Sequence, residues 1–465
     1  AFYDAVVGGR SVGTPGVLRM LAQAHQQHGK LPWAQLLAPA IALARQGFEI
    51  SPRLHAQLNA DRYLRNDPTA RAYFYQANGE PHPVGYRLRN PELAAVLQAV
   101  ASQGADAFYR GDVAQAMVHK VQQHPSNPGR LSLQDLADYS AKQREALCFD
   151  HIAQARVYQV CGFPPPSSGA LAMGQILGLL HRTPASLTPL SNGVPDPRWL
   201  HLYSESSRLA FADRAQYVAD PDFVAAPGGD WSNLLKPAYL NERAKLIGPI
   251  RMPQVAPGVP VRGERTSYAP SAEQPEYGTS HISIVDGQGN ALAMTTTIED
   301  AFGSRQMVKG FLLNNELTDF SFVPRDAQGR PVANRVQGGK RPRSSMSPTL
   351  VFDKATGQLV MSVGSPGGAM IIHFTAKTLY GVLNWGLSPQ QAIDLPNFGN
   401  VGGPVVLEEQ RFAPPTVAAL RARGAEVREQ ALTSGLQAIV RKVDNGKPVW
   451  ISGADPRREG VVLGE

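Results

Sequence analysis

Apolar positions recur at helical spacing through the first third of the chain. Thr14-Pro15 is a cap and first-turn signal, and Gly29 ends the run that follows. The period resumes over 33–47, where Pro39 predicts a kink or a break. Further helices are predicted at 91–103 and 108–124. The pattern then changes to alternation, marking strands at 146–152 and 156–161 with a turn near Gln154-Ala155. Helical spacing returns at about 169–182, after the rigid segment FPPPSSG (163–169), and again over 204–220. Pro and Gly dominate from 222 to 278, with one short helix predicted at 238–247. So long a weakly patterned stretch is uncommon in a compact chain unless it is functional.

Hairpins dominate the remainder. Strands are predicted at 281–285 and 291–297 around the turn-rich loop 286–290, and at 347–353 and 358–363 around 354–357. Helices follow at about 369–386 and 413–423, then closing strands at 436–443 and 448–452. Hairpins flanked on both sides by helical runs predict an α+β fold of two stacked sheets between helical layers. There is no internal repeat.

Composition narrows the function classes. With 465 residues, 43% of them hydrophobic, the chain can build a large core. No apolar run approaches the ~20 residues of a transmembrane helix. The net charge is +7, but the basic residues are scattered singly apart from Lys340-Arg341-Pro342-Arg343 and Arg457-Arg458, which argues against a nucleic-acid partner. Cys148 and Cys161 fall opposite each other in the first hairpin, a placement that permits a disulfide and equally permits two buried thiols. His25 and His28 lack a third ligand and read as a polar helix face rather than a metal site. The opening AFYDAVVGGRSVG is no signal peptide and reads as the middle of a longer sequence.

Common catalytic signatures are missing. There is no G-x-S-x-G elbow, and Gly364-Ser365-Pro366-Gly367-Gly368 lacks its spacing. There is also no phosphate loop and no H-E-x-x-H. His281 lies within a predicted strand and reads as structural. The strongest local feature is Tyr277-Gly278-Thr279-Ser280-His281 running into a hairpin. If Val285 faces Ala291 across the loop, Thr279 faces Thr297, and two hydroxyls meet on one face. A hydroxyl needs a base to become a nucleophile, and the α-amine of a chain terminus, with a reference pKa of about 7.7–8.0, is suited to that role. Cleavage between Gly278 and Thr279 would create one. The plainer reading is that threonine favours strands.

Longer segments carry a family resemblance. GTSHISIVDGQGNALAMTTT (278–297), GFLLNNELTDFS (310–321), KRPRSSMSPTLVF (340–352) and GSPGG (364–368) are similar, in order and spacing, to the gamma-glutamyltranspeptidases. GTPG (13–16), LARQGF (43–48), PPPSSG (164–169), ADRAQYVADPDF (212–223) and GADPRREG (453–460) extend the likeness over essentially the whole chain. The resemblance implies a four-layer αββα sandwich of the N-terminal nucleophile hydrolase type. It implies self-cleavage at Gly278-Thr279 into a large-subunit part (1–278) and a small subunit (279–465), paired as a heterodimer and intertwined in one domain. Thr279 matches the nucleophile and Thr297 the threonine that orients it. Gly367 and Gly368 match the oxyanion-hole residues. Ser344 and Ser345 match the serines that bind the γ-glutamyl α-carboxylate, and Asp319 the aspartate that pairs with the α-ammonium.

Two further positions are less conventional. Glu316 stands where the family has Gln or Glu, and Glu299 where well-known members have Asn. Three carboxylates around one ammonium would raise one pKa, unless Glu299 turns to a nearby arginine. The family's carboxylate-clamping arginine falls upstream of the segment matching GTPG, which leaves Arg341 and Arg343 as candidate substitutes. The lid-like loop at 323–340 is shorter than in well-known bacterial members. The implied reaction is hydrolysis or transfer of a γ-glutamyl group from glutathione-like donors to water or an amino acid, through an acyl-threonine. It requires no metal or organic cofactor, and the resemblance favours a periplasmic or secreted location. The alternatives are a glutaryl or cephalosporin acylase on the same scaffold, and an unprocessed homologue acting as a binding protein.

Overall fold

Helices open where a side chain can satisfy their first free N–H groups. Ser51, Asp67, Asn90 and Ser132 accept from the backbone N–H of Leu54, Ala70, Leu93 and Asp135. The computed structural model describes residues 2–264, 266–271 and 278–464, with Ser186 and Leu187 as backbone only. Ala1, Arg265, the tract 272–277 (which includes Tyr277 of the cleavage motif) and Glu465 lie outside the described residues. The chain forms two compact units, residues 1–144 with 296–318 and residues 145–295 with 319–465. Each unit draws on sequence from both sides of Thr279.

The smaller unit is largely helical, with α1 (Val17–His28), α2 (Trp33–Gln46), α3 (Pro91–Gln103) and α4 (Gly111–Gln122). Helix α1 begins two residues beyond the Thr14-Pro15 signal. The preceding residues are held instead by tertiary bonds: Tyr109 donates to the Pro15 carbonyl (2.8 Å) and Gly13 N–H donates to Asn314 Oδ1 (2.9 Å). Pro39 does not break α2, which runs through it and packs along α3. That packing outweighs the ~3 kcal/mol helix penalty of an interior proline. The segment 296–318 supplies Phe302, Met307 and Leu313 to the two apolar clusters of this unit.

In the larger unit, β1 (Leu147–Ala153) and β2 (Arg156–Gly162) form the predicted hairpin, and Cys148 pairs with Cys161 in a disulfide. Helices α5 (Gly169–His181) and α6 (Pro197–Tyr217) follow. Then come the hairpin β3 (Ser280–Val285) and β4 (Ala291–Thr296), the strands β5 (Thr349–Asp353) and β6 (Leu359–Gly364), helix α7 (Ile371–Leu383), and β7 (Gln437–Asp444) and β8 (Lys447–Ala454). Six strands make one antiparallel sheet in the order β8-β7-β6-β5-β2-β1. One face of that sheet, with Val160, Val351, Met361 and Val440, packs on α5, α6 and α7 in the main core. Successive strand residues face opposite ways, so Ser362 and Gly364 of β6 turn to the other face, where β3 lies against β6 and β7. Small side chains there let the two sheets approach. Ser362 Oγ lies 3.1 Å from Ser283 Oγ and donates to the Leu292 carbonyl (3.0 Å). A small three-stranded sheet, Phe398–Gly399, Val405–Glu408 and Val427–Gln430, was not anticipated from the sequence.

Candidate active site

The proposed nucleophile stands one residue before β3. Its hairpin keeps the expected register: Asp286 N–H donates to the Asn290 carbonyl (3.0 Å), and His281 Nδ1 lies 2.8 Å from Thr295 Oγ1 across the strands. Thr279 is half-buried, and its hydroxyl hydrogen-bonds to the Gly278 carbonyl oxygen. His281 is buried, with Nε2 3.1 Å from Ser283 Oγ, and loss of hydration lowers its pKa to about 3. Its ring fills the space beside Gly364, where a Cβ would sit 2.3 Å from Cε1. The nucleophile strand is thereby packed directly onto the strand that leads into GSPGG.

Beyond β6 the chain turns sharply. Gly367 has φ 137° and Gly368 φ 58°, backbone conformations that side chains with a Cβ rarely adopt. A Cβ on Gly367 would also stand 2.5 Å from the Phe374 ring. Gly368 opens a 3-10 turn, Gly368–Met370, that runs into α7, so its N–H belongs to the electropositive start of a helix.

The segment 341–346 is anchored from three directions. Arg341 N–H donates to Asp220 Oδ2 (2.8 Å) and Arg343 N–H to Asn334 Oδ1 (2.9 Å). Ser344 N–H donates to the Pro166 carbonyl (3.0 Å), while its own carbonyl accepts from both Ser168 N–H and Ser168 Oγ (2.8 Å each). Ser344 Oγ accepts from Met346 N–H (3.1 Å). Ser345 Oγ accepts from Arg214 Nη2 (2.6 Å), and Arg214 Nε donates to Ser168 Oγ (2.9 Å). The PPPSSG loop and α6 thus form the floor beneath the two serines. Arg343, raised from the sequence as a carboxylate clamp, is buried to 2% exposure. Asp319 is buried at the end of the 3-10 turn Glu316–Asp319, with its carbonyl accepting from Asn334 Nδ2 (2.8 Å).

Thr297, Glu299 and Glu316 belong to the smaller unit. Thr297 Oγ1 accepts from Glu299 N–H (2.7 Å). Glu299 is buried with φ 75°, and its carboxylate accepts from Asn315 Nδ2 and Thr318 Oγ1. Arg305 bridges Asp300 (2.9 Å) and Asp61 (2.8 Å). Glu316 is half-buried, with its N–H bonded to Asn314 Oδ1 (3.0 Å). Sequence reasoning singled out neither Arg214 nor Ser168. Both lay within segments that carried the family likeness, PPPSSG and ADRAQYVADPDF, and no local signal set either apart from its polar neighbours.

A family model described as gamma-glutamyltranspeptidase matches residues 2–465. The glutathione hydrolase proenzyme of Pseudomonas aeruginosa is 34% identical, over 99% of this chain and 78% of that protein. The acylase ACY 1 proenzyme of Pseudomonas sp. strain SE83 is 32% identical, over 96% and 76%. Among solved structures, a cephalosporin acylase from Bacillus halodurans superposes with a TM-score of 0.81 at 25% identity, covering 98% of this chain and 79% of its own.

Proposed function

Because the chain belongs to the gamma-glutamyltranspeptidase family, with the α+β sandwich of the N-terminal nucleophile hydrolases, we propose that it is a γ-glutamyl acyltransferase and hydrolase acting on glutathione and related γ-glutamyl compounds. The observation that carries the reading is the match along residues 2–465, which includes the Gly278-Thr279 junction. In the proposed maturation, Thr279 Oγ attacks the Gly278 carbonyl carbon. The Gly278–Thr279 C–N bond breaks as the Oγ proton passes to the Thr279 nitrogen, and water hydrolyses the resulting ester, leaving residues 1–278 and 279–465 as paired subunits. Among the described residues, no helix is long and apolar enough to cross a membrane.

The freed α-amine of Thr279 then takes the Oγ proton as Oγ attacks the γ-carbonyl of the donor. Thr297 holds the hydroxyl in place. The N–H groups of Gly367 and Gly368 bind the developing oxyanion, each such donor being typically worth about 3–4 kcal/mol. The amine returns its proton to the leaving nitrogen, and an acyl-Thr279 ester remains. Water or an amino-acid amine, deprotonated by the same α-amine, attacks the ester and releases the product. Ser344 and Ser345 receive the donor α-carboxylate. The family match assigns Asp319 and Glu316 to the α-ammonium, and Glu299 stands at the position of the family's Asn.

The acylase relative and the acylase structure support a second reading, removal of glutaryl-type acyl groups. A glutaryl group has no ammonium for Asp319 and Glu316 to meet, so retention of both acids favours the γ-glutamyl donor. The test is incubation followed by denaturing electrophoresis and intact mass. Two chains, the smaller beginning Thr-Ser-His-Ile, are expected for the native sequence, and one inactive chain for Thr279→Ala. A native protein that stays full length while turning over amides would overturn the mechanism. Faster cleavage of a glutaryl anilide than of the γ-glutamyl anilide would transfer the chain to the acylase reading.

A further inference from the structure

The segment 323–340 reads as lid-like in sequence, yet part of it is wedged into the larger unit. Val332, Ala333 and Asn334 are buried, Asn334 to 1% exposure, and Ala333 packs with Ala219 and Val224. Lys340 closes the turn that follows. Its Nζ donates to the Ala333 carbonyl (2.5 Å), the Arg335 carbonyl (3.1 Å) and Gln337 Oε1 (3.1 Å). Asn334 is held within this turn, and its own carbonyl accepts from Ser321 N–H (2.9 Å). Its side chain has two arms. Nδ2 donates to the Asp319 carbonyl (2.8 Å), 15 residues away, and Oδ1 accepts from the Arg343 N–H (2.9 Å), 9 residues away. A carbonyl only accepts and a backbone N–H only donates, so these two partners fix the orientation of the amide. One planar group thus joins the backbone of Asp319 to the backbone one residue before Ser344 and Ser345.

We propose that Asn334 is a positioning residue for donor recognition: it sets the spacing between the Asp319 segment and the Ser344–Ser345 segment, and so makes the site select donors that carry both α-groups. This rests on the assignment of Asp319 to the α-ammonium and of Ser344 and Ser345 to the α-carboxylate. A donor gripped at both ends needs the two segments at one separation, and a misplacement of about 1 Å is enough to cost about 100-fold. A donor gripped at one end can follow the segment that holds it. Asn334 acts through these two segments and not by touching the substrate.

Three anilide donors isolate the effect. The γ-glutamyl anilide carries both α-groups, the glutaryl anilide has a carboxylate but no ammonium, and the 4-aminobutanoyl anilide has an amine but no carboxylate. They are assayed with the processed wild type, Asn334→Ala and Asn334→Ser. Alanine removes both arms, which should raise KM for the γ-glutamyl donor about 10–100-fold, with kcat changed by less than about 3-fold. The kcat/KM for each single-group donor should fall by less than about 3-fold. Parallel losses on all three donors would mean a structural role only, and overturn the proposal, as would no loss on the γ-glutamyl donor. A loss shared with just one single-group donor would tie Asn334 to one segment and overturn the spacing claim. If Asn334→Ala fails to fold or process, Asn334→Ser decides the matter. Serine offers a polar group to one neighbour but is too short to span both. It should lower the ratio of two-group to single-group kcat/KM in the same direction by a smaller factor, and an unchanged ratio refutes the claim. A wild type inactive on all three donors, or one that gains nothing from a second α-group, would instead refute the donor assignment itself.

Discussion

Replacing His373 with glutamine should weaken the protein at neutral pH and spare it part of its acid lability. His373 is fully buried on α7, stacked on Phe211 at 5.2 Å, with Nδ1 3.0 Å from the Tyr203 hydroxyl. Its Nε2 accepts the Asn400 N–H at 3.3 Å, so a proton added there would point at another proton. Burial, with a smaller contribution from Arg214, lowers its pKa from 6.5 to about 3. The unfolded chain therefore binds a proton that the folded chain refuses. Stability from this group is complete above about pH 7 and is lost as pH falls from 6.5 toward 3. At pH 5 the loss amounts to about 2 kcal/mol. Glutamine lacks the ring, and the resulting void and lost contacts should cost roughly 2–4 kcal/mol at pH 7.5. The gap between wild type and His373→Gln should then narrow by about 2 kcal/mol between pH 7.5 and pH 5. Urea unfolding followed by tryptophan fluorescence reads this directly, since Trp199 and Trp385 sit in the same core. A gap that stays constant or widens on acidification would refute the argument. His281 and His151, buried with pKa values lowered to about 3 and about 4, act in the same direction. The wild type should lose about 6 kcal/mol over this range from the three together.

Two other outcomes are expected. Gly364→Ala places a Cβ 2.3 Å from the His281 ring. It should cost about 1–3 kcal/mol and slow self-cleavage by about 10-fold or more in an electrophoretic time course, because the strand carrying Thr279 must shift. Adding His281→Ala should recover part of the cleavage rate, and no recovery would exclude the clash as the cause. The Cys148–Cys161 disulfide closes a short loop, the two residues lying 13 apart. The Cys148→Ser/Cys161→Ser double variant should lose about 2–4 kcal/mol in thermal unfolding. Wild type in reductant should match it, whereas stability indifferent to reductant would rule this contribution out.

Local sequence determined much of the architecture. Helix α3 was bounded correctly because Asn90 caps it and Gly104 ends it, all within 15 residues. The register that sets Cys148 opposite Cys161 followed from two alternating segments and a tight turn, where Gln154 and Ala155 adopt positive φ. The β3–β4 register was legible for the same reason. Such features depend on turn chemistry and periodicity over a few residues, which the chain carries with it wherever it packs.

Helix α6 shows where that legibility ends. Its composition is polar, yet both faces are buried, and it begins at Pro197, seven residues before the predicted start. Glu205 and Arg208 pair within the helix, but its other buried charges meet distant partners. Asp213 receives Tyr239, Gln175 and Gly258, and Arg214 reaches Ser345 across 131 residues. Buried polar groups are tolerated only when such partners arrive, and no periodicity within the helix can name them. Family likeness could mark Thr279, Gly367 and the serine pair by position. That Arg214 would meet Ser345 and Ser168 was decided only when the loops met on the surface of α6.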